Sequence, residues 1–444
     1  MNNIKDRLYE ASTLRKSGEF QKALDIYRPL WESHKEHFND WDTWNYAQSA
    51  QKCDHHEEAE QIARYCCERW PHFLLGRQTL AWALYYNHFR DELPPNQPIP
   101  KAYWSAAEEV LDLCVKDPHS KYSPFVRIVF SIVHFLEQRQ ATGENVRKRL
   151  DWLGHLEADH LSTLAESFTD KEGKLRETAS NLESWYSYMS KALLDGEHYE
   201  DCIQLCEKAI ASLQKFHYDN DVWFAARIAE CKSKLGRTEE ALADYQPLVL
   251  KLSAWHLHYK IALLLYKLGQ RDGALRHGAE AALAFGPLPN KWKLFLFLAV
   301  VLQENGQEDL GRRHAQLAAN LRRENNWDKV IPKAQQRFEQ FKVDFTDATP
   351  AKDLSRQLRQ HWQKWQLEML PRHEGFIDRV HKDKPFGFIK AESLPEPVFF
   401  KTHSFIGPKE QCVSRTRVKF FIKDSYDKTK ERSSTEAIQV TPIA

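Results

Sequence analysis

The spacing of apolar and polar residues divides the chain into a long helical part and a short β part. For most of its length, apolar side chains recur every three or four positions, as one buried helix face requires. From residue 375 the period becomes two, in the runs GFIDRV, PFGFIKA, PVFFKT, RVKFFIK and EAIQVTPI, which turn-forming residues separate. The pattern predicts a mainly α protein that ends in a small five-stranded antiparallel β-barrel.

A repeated spacing in the helical part predicts helical hairpins. A small residue is followed seven positions later by glycine and five positions after that by another small residue, in Ala11–Gly18–Ala23, Ala229–Gly236–Ala241, Ala262–Gly269–Ala274 and Ala299–Gly306–Gly311. The glycine ends one helix, and the small residues allow the two helices to approach closely. Two weaker units fit the pattern with changes, one marked by Ala47, Ala59, Ala63 and Pro71 and the other by Tyr199, Cys202, Cys206 and Ala209.

These repeats resemble the tetratricopeptide family, most closely in RKSGEFQKALDIYRPL, SKLGRTEEALADYQPL and YKLGQRDGALRHGAEAAL. The resemblance implies a two-helix solenoid over residues 1–343, with an irregular helical part at about 122–180. It also implies a concave surface that binds a protein or peptide. Residues 344–373 follow as a linker. Leu354, Leu358, Trp362 and Trp365 lie there at helical spacing, and we interpret this helix as a cap on the last repeat.

The stretch KPFGFIK in the predicted barrel combines aromatic rings with cations. Phe386 and Phe388 are two positions apart and would share one face of a strand, together with Lys384 and Lys390. Single-stranded nucleic acids bind such faces because bases stack on the rings and phosphates pair with the cations. The whole chain has a net charge of +1, but residues 375–444 contain 13 Lys and Arg against nine Asp and Glu.

Residues 374–444 resemble the cold-shock domain, an OB-type barrel. The resemblance rests on KPFGFI at 384–389, on VFFK at 398–401 and, more loosely, on GFIDRVH at 375–381. Arg379 stands where the family has a stacking tryptophan. The resemblance implies binding of single-stranded RNA, with single-stranded DNA as the second candidate. The implied binding residues are Phe386, Phe388 and Phe399 for stacking, Lys384, Lys390 and Lys401 for phosphates, Arg379 beside them, and His403 if the second motif is shifted by one position.

Our first hypothesis is therefore a non-enzymatic cytoplasmic adaptor that joins a protein partner to single-stranded RNA. The alternative is a protein-interaction scaffold whose barrel docks a protein or mediates self-association. We expect no membrane partner, because the N-terminus lacks a signal sequence and no apolar run is long enough to span. Partner identity, RNA preference and oligomeric state stay open.

Chemical activity has little support in the sequence. Cys202 and Cys206 are four positions apart on one helix face, but no second ligand pair accompanies them, so we predict no metal and no cofactor. Arg127 and His134 resemble the catalytic motif of certain helical ribonucleases. Such spacings also arise by chance among 20 histidines, and we predict that the protein is not an enzyme.

Overall fold

The computed structural model divides the chain into two compact units, Met1–Tyr218 and Asp219–Ala444. It describes residues 2–91, 93–94, 97–114, 119, 123–327, 331–368, 370–381, 383–427, 430 and 432–443. Among those residues, none of the helices combines the length and the apolar character that crossing a membrane requires.

The first unit is built from helices that pack in consecutive pairs, as hairpin repeats do. Its described residues form α1 (Asn2–Lys16), α2 (Phe20–His34), α3 (Asp40–Lys52), α4 (His56–Arg69), α5 (Leu74–Leu84), α6 (Lys101–Cys114), α7 (Phe125–Glu137), α8 (Gly143–Gly154), β1 (Ser167–Thr169), β2 (Leu175–Glu177), α9 (Asn181–Asp195) and α10 (Tyr199–Ser212).

The second unit contains three more hairpins, two further helices and a β-barrel. Its described residues form α11 (Asn220–Lys234), α12 (Thr238–Lys251), α13 (Trp255–Lys267), α14 (Arg271–Leu283), α15 (Trp292–Glu304), α16 (Glu308–Glu324), α17 (Pro332–Gln340), α18 (Ala351–Leu367), β3 (Arg372–Val380), β4 (Phe386–Lys390), β5 (Val398–Lys401), β6 (Arg417–Asp427) and β7 (Arg432–Pro442). The fold class is confirmed: hairpins of the tetratricopeptide type, then a barrel. The boundaries at 343/344 and 373/374 stay predictions.

The repeat glycines end their helices as the spacing predicts. Gly18 and Gly236, for example, have φ of +84°, in the left-handed region that favours glycine. Asp54 (φ +61°) and Glu197 (φ +62°) adopt the same conformation seven positions after Ala47 and Ser190. The two weaker units therefore have the same turn, built without glycine.

One prediction for the first unit is wrong: the region 122–180 is not helical throughout. The strands β1 and β2 pair in it as a two-stranded antiparallel hairpin. Turn chemistry explains the hairpin, because Oδ1 of Asp170 accepts hydrogen bonds from the backbone N–H groups of Glu172 and Lys174, each at 2.9 Å. Gly173 then supplies the left-handed residue, with φ of +78°.

The apolar stripe of α18 is buried, as predicted for a capping helix. The helix packs across α14 and α16, the second helices of the last two hairpins. The Trp362 ring stacks on Phe295 with centroids 5.4 Å apart, and its Nε1 donates to Nε2 of buried His314 at 2.9 Å. Because Nδ1 of His314 lies 2.7 Å from the Leu310 carbonyl, which can only accept, this imidazole is neutral with its proton on Nδ1.

The barrel closes in the strand order β3-β4-β5-β7-β6, and β6 pairs back with β3. The prediction of a wholly antiparallel barrel is wrong at one position, because β5 and β7 are parallel. Five strands in a closed ring cannot alternate in direction throughout, since an odd number of reversals does not restore the starting direction. Fully buried side chains fill the interior: Ile377, Ile389, Phe400, Val418, Phe420, Ala437 and Val440.

Stability should fall below neutral pH because of His314. Burial lowers the pKa of His314 from 6.5 to about 4, so between these values the unfolded chain binds more protons than the folded one. Acidification across this range should therefore remove on the order of 3 kcal/mol of stability. Urea unfolding, followed by tryptophan fluorescence at several pH values, should show a weaker acid destabilisation in His314→Gln than in the wild type. Equal pH dependence in both proteins would contradict this assignment.

Candidate nucleic-acid interface

Strand β4 separates an outer aromatic face from the barrel interior. Gly387 and Ile389 are buried, whereas Phe386 and Phe388 are only partly buried and point outwards. The glycine is required by close approach, because a Cβ at residue 387 would lie 2.6 Å from both the Arg379 carbonyl oxygen and the Phe400 ring. The FGF sequence thus leaves room inside for Phe400 and places two rings outside.

The three phenylalanines predicted to stack bases form one cluster. Phe388 and Phe399 are register partners on β4 and β5, with ring centroids 6.1 Å apart. The Phe386 centroid lies 5.9 Å from that of Phe388 and 5.4 Å from that of Phe399. We call Phe386, Phe388 and Phe399 the aromatic platform. All three rings are partly exposed, so a flat ligand can reach them.

A β-bulge places Arg379 beside the platform. The β3–β4 register moves from Ile377↔Ile389 to Arg379↔Phe388, so Asp378 is an extra residue. Ile377 points into the core, and Arg379, two positions later, is exposed on the outside. Its guanidinium carbon lies 4.7 Å from the centroid of Phe388. Arg379 therefore supplies a planar cation over the platform.

A depression with a volume of about 560 Å³ adjoins the platform. Its lining residues are Arg379, Val380, His381, Asp383, Phe386 and Phe388. His381 contacts Phe386 with ring centroids 5.1 Å apart. Sequence analysis did not select His381 or Asp383, although both lie just before KPFGFIK and their proximity was a usable signal.

The predicted cations differ in their surroundings. Lys384, Lys390 and His403 are exposed. Nζ of Lys401, in contrast, lies 3.2 Å from Oε1 of Glu436, a carboxylate that is only 5% exposed. Glu436 is the register partner of Phe399 on β7, so it lies beside the platform. Lys401 thus carries a compensated charge, which its sequence position could not reveal.

Other candidate chemistry lies in the first unit. Arg127 forms an exposed ion pair with Glu166 at 3.3 Å, and Nε2 of His134 lies 2.8 Å from Nε2 of Gln138. The described residues also include two groups of metal-ligating side chains whose ligand atoms lie within 4.8 Å of one another, neither of which sequence analysis selected; the first lies within four consecutive residues, and the second joins separate segments. The groups are His34, Glu36 and His37, and His119, Glu157 and His160.

The fold defines a helical-hairpin repeat protein with an appended five-stranded barrel. A scan of protein-family models gives no match, and neither does a search of curated proteins. Among solved structures, BtubC from P. vanneervenii is 16% identical, with 51% of this chain and 90% of that chain covered and a TM-score of 0.36. A tetratricopeptide repeat protein from Parabacteroides merdae is 9% identical, with coverages of 68% and 100% and a TM-score of 0.30. A human IFIT1 dimer with m7Gppp-AAAA is 12% identical, with coverages of 80% and 75% and a TM-score of 0.36.

Substitution of Gly387 should disrupt the platform's support. In Gly387→Ala the new methyl group would meet the Arg379 carbonyl and the Phe400 ring, and neither can move freely within the barrel. We expect a loss of about 1–3 kcal/mol, measured by chemical denaturation. Gly143→Ala is the matched control, because a Cβ there meets nothing within 4 Å. A Gly387→Ala protein as stable as this control would contradict the packing described here.

Proposed function

We propose that the protein is a non-enzymatic adaptor whose barrel binds single-stranded RNA, with single-stranded DNA as the second candidate, and whose hairpin repeats bind a protein partner. The observation that carries the proposal is the aromatic platform on the outside of the barrel, with the Arg379 guanidinium over one of its rings. Each base stacked on such a ring contributes about 1–3 kcal/mol with little dependence on sequence.

The barrel's architecture supports this proposal. A closed five-stranded barrel whose third strand pairs in parallel with its fifth follows the plan of OB-folds, which bind oligonucleotides on the face of strands 2 and 3. The second and third barrel strands here are β4 and β5, which carry the platform. Position in the fold and side-chain chemistry therefore favour the same surface.

The first unit offers a candidate surface for the protein partner. Trp41 on α3 is 53% exposed and contacts Trp44 and Phe73, with centroid distances of 5.7 and 5.4 Å. The guanidinium of Arg15 on α1 lies 4.7 Å from the Trp44 ring. Tryptophan and arginine are enriched among the residues that dominate binding energy in protein interfaces. We propose that this surface on α1 and α3 takes part in partner recognition.

The Lys401–Glu436 pair favours the second candidate function, a barrel that docks a protein. A carboxylate beside the platform repels phosphates and lowers the positive charge available to them. The two functions differ in salt dependence, because phosphate binding weakens steeply with salt whereas an apolar interface does not.

Removal of two platform rings should abolish nucleic-acid binding. Full-length wild type and the Phe386→Ala/Phe388→Ala variant would be titrated into fluorescent poly-U and poly-dT oligonucleotides at about 50 and 200 mM salt, and binding followed by anisotropy. We expect salt-sensitive binding by the wild type and none by the variant, because two stacking surfaces are lost.

The matched control is Phe285→Ala, which removes a 97% exposed ring from outside the barrel and should bind as the wild type does. Far-ultraviolet circular dichroism would verify that each variant is folded. Wild-type affinity in the folded double variant would rule out the platform as the binding surface.

Neutralising Glu436 should strengthen binding. In Glu436→Gln the carboxylate charge disappears and Lys401 becomes available to a phosphate, so affinity should rise. The slope of log K against log salt should steepen by about 0.7, the value of one added phosphate contact on a single strand. Glu410→Gln, which removes an exposed carboxylate outside the strands, is the control. An unchanged affinity and slope in Glu436→Gln would show that Lys401 does not contact the ligand.

A further inference from the structure

The outward-facing residues of β4 pair aromatic rings with cations, and this pattern continues beyond the aromatic platform. Phe386 has Lys401 as its register partner, and Phe388 has Arg379. At the next outward position the cation, Lys390, is on β4, and the aromatic ring, Phe376, is its register partner on β3. Every outward position of β4 therefore has at least one aromatic ring and one cation in register.

Phe376 is an exposed ring between two cations. It is 40% exposed, and its register partners are Lys390 on one side and Arg417 of β6 on the other. Both cations are exposed, and within the described part of the chain neither forms an ion pair. This differs from Lys401, whose charge Glu436 compensates. Phe376 and its two neighbours in register therefore present a ring with adjacent cations, the combination that single-stranded nucleic acids bind.

The spacing and rigidity of this position suit a nucleotide. Successive outward positions on a strand are about 7 Å apart, close to the phosphate-to-phosphate distance of an extended single strand. The backbone is fixed here, because a Cβ at residue 375 would lie only 2.4 Å from the Lys390 carbonyl oxygen. Strands β3 and β4 are thus in close contact where Phe376 and Lys390 face solvent.

We propose that Phe376, Lys390 and Arg417 form a further nucleotide subsite, in which a base stacks on Phe376 and its phosphate lies between the two cations. The ligand then runs along β4 from Phe386 towards Lys390 and covers about three nucleotides. This inference rests on the proposed nucleic-acid function of the platform. It names Phe376 and Arg417 as ligand-binding residues and gives the direction in which the strand crosses the barrel.

A length series tests the subsite on the full-length protein. Fluorescent oligouridylates that increase one nucleotide at a time would be titrated into the wild type, Phe376→Ala, Phe376→Leu and Phe285→Ala. We expect Phe376→Ala to weaken binding of the longer oligonucleotides about 5- to 150-fold, the equivalent of one stacked base. Its affinity should also stop increasing one nucleotide earlier than that of the wild type. Phe376→Leu keeps an apolar side chain without a ring and should behave like Phe376→Ala, whereas Phe285→Ala should match the wild type.

The salt dependence of binding tests the two cations separately from the Phe376 ring. Lys390→Gln and Arg417→Gln should each flatten the salt slope, and the double variant should flatten it by about 0.7, because the two cations share one phosphate. Different results would overturn the nucleic-acid function and the subsite. Absence of wild-type binding would overturn the nucleic-acid function and the subsite together. Wild-type binding that Phe386→Ala/Phe388→Ala abolishes but Phe376→Ala leaves unchanged would overturn the subsite alone. Binding of Phe376→Leu at full affinity would also overturn the subsite alone, because that result would show that no base stacks on the Phe376 ring.

Discussion

The burial of the Trp362 indole holds α18, the helix that precedes the barrel, against the repeats of the second unit. Its ring stacks on Phe295 of α15 and its N–H is bound by His314 of α16, so α18 is held by both helices of the last hairpin. The hydrogen bond requires a neutral imidazole, and the depressed pKa of His314 shows that burial enforces this state. The first barrel strand, β3, begins at Arg372, only a few residues after α18 ends at Leu367.

The binding face depends on a second local constraint, the bulge at Asp378. A strand with strict alternation would point Arg379 into the core, two positions after Ile377, and a buried unpaired guanidinium would be unfavourable. The extra residue moves Arg379 outside and over the Phe388 ring. Apolar alternation in the sequence identifies the strand correctly but contains no sign of the bulge. The partner of Arg379 therefore could not be predicted, although its proximity to the platform could.

The parts of the fold that follow from local sequence patterns could be predicted, and those that depend on contacts between distant segments could not. Helices, strands and repeat turns follow from local periodicity and from glycines such as Gly18, whose left-handed turn the spacing predicts. Asp54 and Glu197 adopt that turn without glycine, so their repeats are weak in sequence. Contacts between distant segments leave no local pattern. Glu436 lies beside Phe399 because β5 and β7 pair in parallel, and the strand pattern does not show which two strands of a five-stranded ring pair in this way.

The distribution of charge on the outer face explains how stacking and phosphate contacts can be combined. At its centre the rings of the platform are accompanied by the Lys401–Glu436 pair, which has no net charge. Among the described residues, exposed cations without such compensation lie beside the middle of β4, at Arg379, and towards its ends, at Lys384 and Lys390. On the proposed function, these cations attract phosphates while the rings between them accept bases of any sequence. On this arrangement the cations fix the path of the strand, and the platform supplies affinity that depends little on which bases it meets.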